Sequence, residues 1–231
     1  MITKEIQKQF DEARQIVFLT GAGVSTASGI PDYRSKNGIY QGLEQRPEYL
    51  LSTEALHQEP AAMYNFMKEY MYFPEAKPNI IHKVMAELTK QGRARIITQN
   101  VDGLHEKSGA QQVLNYHGSL YNIYGVVTGQ RSTVEAYMQS MYAKDGELLR
   151  PGITLYGEIP FRTEEAALWM QQADLVVIVG TSFVVYPFAG LLQYVQPGVP
   201  ILAINLEKID TLYPVKQLIG DAGSFFKELK I

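Results

Sequence analysis

The sequence contains no cysteine. That absence excludes disulfides, thiolate metal sites and cysteine nucleophiles together. Histidine is scarce too: four residues, at positions 57, 82, 105 and 117, are too scattered to give a metal-ligand spacing. No basic run occurs, and the net charge of −3 argues against a protein that tracks a nucleic-acid backbone. No apolar stretch reaches the length of a bilayer; the longest, Leu175 to Gly180, is strand-sized. The segment from Met1 to Lys8 has no apolar signal core, so a cytoplasmic location free of membranes is expected. What remains is 231 residues, 46% hydrophobic and 19% charged, enough for one domain or one domain with an inserted lobe.

Four β-branched runs read as buried parallel strands: Ile16 to Thr20, Ala94 to Thr98, Asp174 to Gly180 and Pro200 to Asn205. Each is apolar on both faces, the pattern of a sheet covered by helices on both sides. Helical spacing of apolar residues lies between them, over Glu5 to Gln15, Ile80 to Gln91 and Glu164 to Gln172. The alternation predicts an α/β fold, a Rossmann-like doubly wound parallel sheet. Residues 1–36, 78–117 and 163–231 are assigned to that nucleotide-binding domain.

Residues 37–77 and 118–162 break the rhythm. The first segment carries a helical Tyr and Met pattern through Met63, Tyr64, Phe66, Met67, Tyr70, Met71, Tyr72 and Phe73. The second holds turns, a short helix around Val134 to Tyr142 and an extended piece ending at Glu158. Both read as insertions that build a smaller lobe, with a ligand cleft between lobe and domain. The aromatic stripe is expected to be lobe core.

The strongest local signal follows the first strand, Gly21-Ala-Gly-Val-Ser-Thr-Ala-Ser-Gly29 and then Ile30 to Ser35. A strand that feeds small residues into a helix start leaves backbone N–H groups free for a pyrophosphate. Gly21 and Gly23 permit close backbone approach, while Ser25, Thr26 and Ser28 add hydroxyls. Gly29 lies six residues after Gly23, whereas the ordinary dinucleotide fingerprint places its third glycine about three residues on. Asp32, Tyr33 and Arg34 then set an acid, an aromatic ring and a guanidinium beside the phosphates. A second signal, Thr98 to His105, places Gln99, Asn100 and Asp102 at a strand's C-terminal end, where open α/β sheets bind ligands. Read alone it is equally a polar turn. His117, between Tyr116 and Gly118, is the candidate general base, because imidazole alone has an unperturbed pKa suited to proton removal near neutrality. His57, His82 and His105 are assigned structural or capping roles. Gly180-Thr-Ser182 and Asn205-Leu-Glu207 end two further strands and offer hydroxyl and amide groups to a nucleotide.

Taken in order, these segments resemble the sirtuins, NAD-dependent protein deacylases. The likeness spans almost the whole chain and includes Leu149 to Glu158 as well as the motifs above. It implies NAD across the C-terminal edge of the sheet, with its pyrophosphate on Gly21, Ala22, Gly23, Ser25 and Thr26, and with Arg34 touching phosphate. Nicotinamide would sit near Tyr33, Val101 and Asp102, and Asp102 would hold its carboxamide. Asn100 would position ribose or water, and Gln99 the ribose. The acyl-lysine oxygen would attack the anomeric carbon, and His117 would act as base on the ribose hydroxyls. Nicotinamide, O-acyl-ADP-ribose and free lysine would be the products. Gly180, Thr181, Ser182, Asn205, Glu207 and Ala222 would line the adenosine end. Acyl-lysine peptide would add as a strand near Gly157, Glu158 and Val184.

Two departures from the family pattern stand out. Its members commonly carry two Cys-x-x-Cys pairs between the histidine and the Arg-Pro segment. By spacing these fall on Gly125 and Thr128, and near Tyr142 and Asp145, none of which is a soft ligand. No zinc is therefore expected, and packing of Tyr121, Tyr124, Tyr137 and Tyr142 is expected to replace it. Members that prefer acidic acyl groups carry Tyr-x-x-Arg in the helical insertion; here Met67 and Tyr70 stand there, which favours neutral acyl chains. An ADP-ribosyltransferase and a non-catalytic NAD or ADP-ribose sensor are rival readings, and the presence of His117 weighs against both; an ordinary dehydrogenase is a third, against which stand the misplaced third glycine and the missing acidic residue after the second strand.

Overall fold

The computed structural model describes residues 2–32 and 45–231. Its strands are β1 (Ile16–Thr20), β2 (Ala94–Thr98), β3 (Val113–Asn115), β4 (Gly118–Gly125), β5 (Arg131–Ser132), β6 (Leu149–Ile153), β7 (Leu175–Val179), β8 (Ile201–Asn205) and β9 (Lys216–Ile219). Its α-helices are α1 (Lys4–Glu12), α2 (Pro47–Leu50), α3 (Thr53–Gln58), α4 (Pro60–Tyr70), α5 (Ile80–Lys90), α6 (Leu104–Lys107), α7 (Val134–Gln139), α8 (Thr163–Gln172) and α9 (Ala222–Glu228). Six parallel strands form one sheet in the order β3-β2-β1-β7-β8-β9, and β5-β4-β6 form a separate antiparallel sheet. This is the doubly wound order, in which the chain reverses direction across the sheet between β1 and β7.

β1 is buried throughout because alternate residues serve opposite faces. Ile16 and Phe18 pack with Phe10 of α1, Met85 of α5 and Phe226 of α9. Val17 and Leu19 pack with Trp169 and Met170 of α8 and with Leu191 and Leu192. The expected strands appear with at most a residue trimmed at each end. Two more were not anticipated. β3 is only three residues long, and β9 is an edge strand whose half-exposed Lys216-Gln-Leu-Ile sequence gives no continuous apolar run.

The first helix was expected to reach Gln15 but ends at Glu12. The Asp174 carboxylate accepts the Arg14 and Gln15 amides at 2.9 Å each and draws them out of helical geometry. α5 is fixed by Asn79, whose Oδ1 accepts the Ile81 amide at 2.9 Å, while the Asn79 amide donates to His82 Nδ1 at 3.3 Å. The pair forms a capping box with histidine in the usual acidic place.

The segment 118–162 is more strand than turn, against expectation. Pro151 and Gly152 lie inside β6, where such residues normally argue against a strand. They are tolerated because the pairing with β4 shifts register between Ser119 and Ile123. Met63, Phe66, Met67 and Met71 bury against Leu120 and Ile153 of the small sheet and Leu155 just past it, so these four are core, while Tyr70 and Phe73 of the same stripe face a pocket together with Met71. Each such side chain contributes about 1.5–3 kcal/mol on burial. Tyr137 is 2% exposed and meets Tyr64 edge-on at 5.1 Å between ring centres. Tyr142, expected beside it, is instead 47% exposed, because it lies past the end of α7 in the next hairpin. No helix among the described residues is long and apolar enough to cross a membrane.

Candidate functional site

Four loops meet where the sheet reverses direction: those after β1, β2, β7 and β8. The loop after β1 is not the start of a long helix, as the sequence implied, but two short 3-10 turns, Ala22–Val24 and Thr26–Ser28. Its glycines answer to the neighbouring loop. A Cβ on Gly21 would lie 2.6 Å from Thr181 Cβ, and one on Gly23 would lie 2.7 Å from Gly180 Cα. The Gly23 amide donates to the Gly180 carbonyl at 2.8 Å. Gly21, Gly23 and Gly180 therefore let two backbones touch, which brings the β1 and β7 loops to one edge.

Ser25 is 1% exposed and stands at the centre of a buried polar cluster. Its hydroxyl donates to Asp102 Oδ2 at 2.6 Å and accepts from Asn100 Nδ2 at 3.2 Å. Because the Asn79 amide occupies His82 Nδ1, the neutral ring turns its Nε2 proton toward the same hydroxyl at 3.5 Å. One donor and two acceptor sites are thus all used. Asp102 Oδ1 accepts the Leu104 amide at 2.9 Å. Burial raises the Asp102 pKa, and the Ser25 and Leu104 bonds oppose that rise.

Ser25, Asn100 and Asp102 line a pocket with Ala22, Ile30, Pro31 and Val101 on one side, and Tyr70, Met71, Phe73 and Leu120 of the lobe on the other. None of its lining residues is a lysine or arginine among the described residues. Met67, one of the two positions where the sequence comparison set the Tyr-x-x-Arg pair, is fully buried in the lobe core; Tyr70, the other, lines the pocket. Tyr33 and Arg34 lie outside the described residues, and Asp32 is half-buried at their edge.

A second network continues from the pocket. Thr181 Oγ1 donates to Gln99 Oε1 at 2.9 Å, and the Thr181 amide donates to Asn205 Oδ1 at 3.0 Å. Asn205 Nδ2 is buried without a partner among the described residues. The Gly220 amide reaches the Asn205 carbonyl at 2.8 Å and brings the buried Ala222 at the start of α9 beside it. Thr26 is exposed, its hydroxyl donating back to the Gly23 carbonyl at 3.0 Å; Ser182 and Glu207 are exposed as well.

His117 is half-buried between β3 and β4 and packs on Tyr116 and Phe188, with ring centres 5.5 and 6.3 Å away. Burial lowers its pKa to about 4, against a smaller opposing effect of the Gln99 carbonyl. The ring is therefore neutral near pH 7, though a weaker base than the unperturbed imidazole the sequence argument assumed. Gly118 follows it with φ +80°, and a Cβ there would sit 2.0 Å from the Gly152 carbonyl oxygen. Only glycine lets the chain turn from His117 into β4.

At the lobe side, the Tyr156 amide donates to the Leu51 carbonyl at 2.8 Å and its carbonyl accepts from Thr53 at 3.0 Å. Gly157 is exposed with φ +97°, and Val184 is 56% exposed. The Glu158 carboxylate is directed inward, to Arg150 and the Leu155 amide at 2.8 Å.

Residues 21–187 match the model of the Sir2 family. The chain belongs to the Sir2 family. A relative from Listeria monocytogenes serotype 4b (strain F2365), named NAD-dependent protein deacetylase, is 47% identical over 97% of this chain and 99% of its own length. Among solved structures, a Sir2 variant with a deacetylated peptide and 3′-O-acetyl ADP ribose superposes with a TM-score of 0.90 at 32% identity, covering 98% of this chain and 96% of that one. A Sir2 enzyme bound to a propionylated peptide gives a TM-score of 0.85 at 31% identity, covering 98% and 96%. This Sir2-family chain thus has the expected α/β architecture with a small second sheet.

Sequence reasoning missed Asn79 in this Sir2-family site. Besides capping α5, its Nδ2 donates to the Val24 carbonyl at 2.7 Å and to Ser28 Oγ at 2.9 Å. It ties the loop after β1 to α5. The available signal was an asparagine directly before an apolar helix, with histidine three residues on. His82 is the cap foreseen, but its second nitrogen also faces Ser25.

Proposed function

We propose that this chain is an NAD-dependent protein-lysine deacetylase acting on neutral acyl groups, with NAD as co-substrate and no zinc. The observation that carries the reading is that a buried carboxylate pocket at Asp102 and a neutral imidazole at His117 share one sheet edge, with Gln99 bonded to Thr181 through its side chain and to His117 through its carbonyl. NAD would supply an electrophilic anomeric carbon with nicotinamide as its leaving group.

The chain's own groups suit the separate tasks. Ser25 and Leu104 fix the Asp102 carboxyl so that it can hold an amide, and Ala22, Ile30, Pro31 and Val101 give that pocket an apolar wall. The Gly21 and Gly23 amides already donate to the Val179 and Gly180 carbonyls, against the expectation of free amides there, so a pyrophosphate would rest on the Ala22 amide with Thr26 beside it. The unpartnered Asn205 amide suits the ribose or adenine edge, with Gly180, Thr181, Ser182, Glu207 and Ala222 around it. Asn100 and Gln99 would orient ribose hydroxyls, and His117 would remove a proton from one of them. An extended acyl-lysine peptide would lie along Gly157, Glu158 and Val184, with the acyl group directed toward a pocket that offers it no cation among the described residues.

The test is nicotinamide release from NAD with an acetyl-lysine peptide and without peptide, in EDTA, for wild type and His117→Ala. Peptide-dependent release with O-acetyl-ADP-ribose formed, surviving EDTA and lost in the variant, is expected. Peptide-independent release with ADP-ribose on protein would replace this reading with the transferase. Intact NAD binding without turnover would replace it with the sensor.

A further inference from the structure

The positions onto which the family's metal-binding cysteine pairs fall do not fit a zinc ion. Gly125 has no side chain, and Thr128, Tyr142 and Asp145 provide neither thiolate nor imidazole. The Asp145 carboxylate is turned onto the Glu147 amide at 3.1 Å. Among the described residues no cluster of three or more histidine, cysteine or acidic side chains could hold a metal.

The turn after β4 is nevertheless an anion cradle. The Val127 and Thr128 amides and the Thr128 hydroxyl converge on one point, as successive amides do in anion-binding turns. What fills the cradle comes from the second hairpin, 20 residues further along. Glu147 Oε1 accepts the Val127 amide at 2.8 Å and the Thr128 amide at 2.7 Å, and Oε2 accepts the Thr128 hydroxyl at 2.6 Å. All three are short, charge-assisted bonds.

The carboxylate also occupies the space a side chain at 125 would need. A Cβ built on Gly125 would stand 2.3 Å from Glu147 Cδ and Oε2 and 2.5 Å from Oε1. Glycine at the first cysteine position and glutamate at 147 are therefore one structural arrangement. Backbone bonds close the rest of the joint: Ala143 to the Glu147 carbonyl at 2.8 Å, Val126 to the Leu148 carbonyl at 2.9 Å, and Leu149 to the Met141 carbonyl at 2.8 Å.

We infer that Glu147 is a built-in substitute for the structural metal, an anion supplied by the second hairpin that locks the first one through Val127 and Thr128. The joint needs neither metal nor thiol, so chelators and thiol oxidants have nothing in it to attack. Tyr137, packed on Tyr64 and Tyr72, forms the apolar layer of the same lobe. The inference is separate from the deacetylase reading, since it concerns how the lobe is held.

Amide hydrogen exchange on the full chain tests it, in wild type, Glu147→Ala, Gly125→Ala and the double variant, with zinc content read by native mass spectrometry. Val127 and Thr128 amides should lose protection by at least about tenfold in each single variant, because the charged acceptor is removed or pushed aside. Gly125→Ala should add no further loss in the Glu147→Ala background, and wild type should carry no zinc and keep its protection in EDTA. Unchanged protection in Glu147→Ala would overturn the inference, as would bound zinc or deprotection of these amides by EDTA. None of these readouts uses NAD turnover, so a chain that proved not to deacetylate would leave the result intact.

Discussion

Arg150 grips Glu158 with a two-pronged pair, Nη1 to Oε1 at 2.6 Å and Nη2 to Oε2 at 3.0 Å. The same guanidinium donates to the Ile153 carbonyl at 2.7 Å. Arg150 is 6% exposed and stacks over Tyr124 at 5.8 Å, so the pair anchors the Leu155-to-Glu158 turn to β6 from inside. A residue expected to face substrate thereby acts through its side chain as the fastener of the segment that would.

Glu158→Gln should therefore raise the KM for peptide while leaving the KM for NAD nearly unchanged. Removing one partner of a largely buried pair costs about 3–5 kcal/mol; with the Glu158 side chain 29% exposed, the lower part of that range is expected. Burial pushes the Glu158 carboxyl upward, but the bonds from Arg150 and Leu155 outweigh it and leave its pKa below the ordinary value. This contribution is present above the ordinary carboxylate range and is lost as pH falls through the lowered folded value. Thermal melts of wild type and Glu158→Gln should converge in acid; a constant gap would contradict the assignment.

Mild acid should destabilise the protein before its carboxylates titrate. Burial lowers His82 and His117 to about 4 and holds His105 well below its ordinary value, with the neighbouring His82 adding to the last effect. The unfolded chain binds more protons than the folded one between about 4 and 6.5, so stability falls as pH drops through that window. His82 alone should account for about 1.5 kcal/mol between pH 6.5 and 5. Denaturant melts at both pH values would check this, and His82→Gln should show the weaker pH dependence.

Ser25→Ala removes the donor to Asp102 and the acceptor of Asn100 in one step. A hydrogen bond to a charged group is worth about 1.5–3 kcal/mol, so nicotinamide release should slow about tenfold or more. Steady-state kinetics at saturating peptide would measure it. Release at the wild-type rate would mean that Ser25 does not hold Asp102 for the reaction.

Tyr137→Ala should cost about 3–5 kcal/mol, as large aromatic truncations in cores do. Tyr142→Ala should cost far less, about 1 kcal/mol or under, because that residue is about half exposed. Urea denaturation of the two variants separates a packed ring from a bystander; equal losses would refute the distinction.

The sequence by itself determined the doubly wound sheet and the order of its motifs. β1, β2, β7 and β8 are apolar on both faces, and that pattern has few folded solutions other than a sheet between helices. It also placed Ser25, Asn100, Asp102 and His117 at strand ends, since small and polar residues after an apolar run announce a loop at the sheet edge. The tertiary structure alone decided what those residues do to each other. That Ser25 joins Asp102 to Asn100 and His82 depends on a loop, a strand end and a helix start meeting across 57 to 77 residues. That α1 stops at Glu12 depends on Asp174, and that Gly125 is needed depends on Glu147. No local pattern encodes such pairs, because each bond joins residues whose separation is set by the fold and by no helical or strand period.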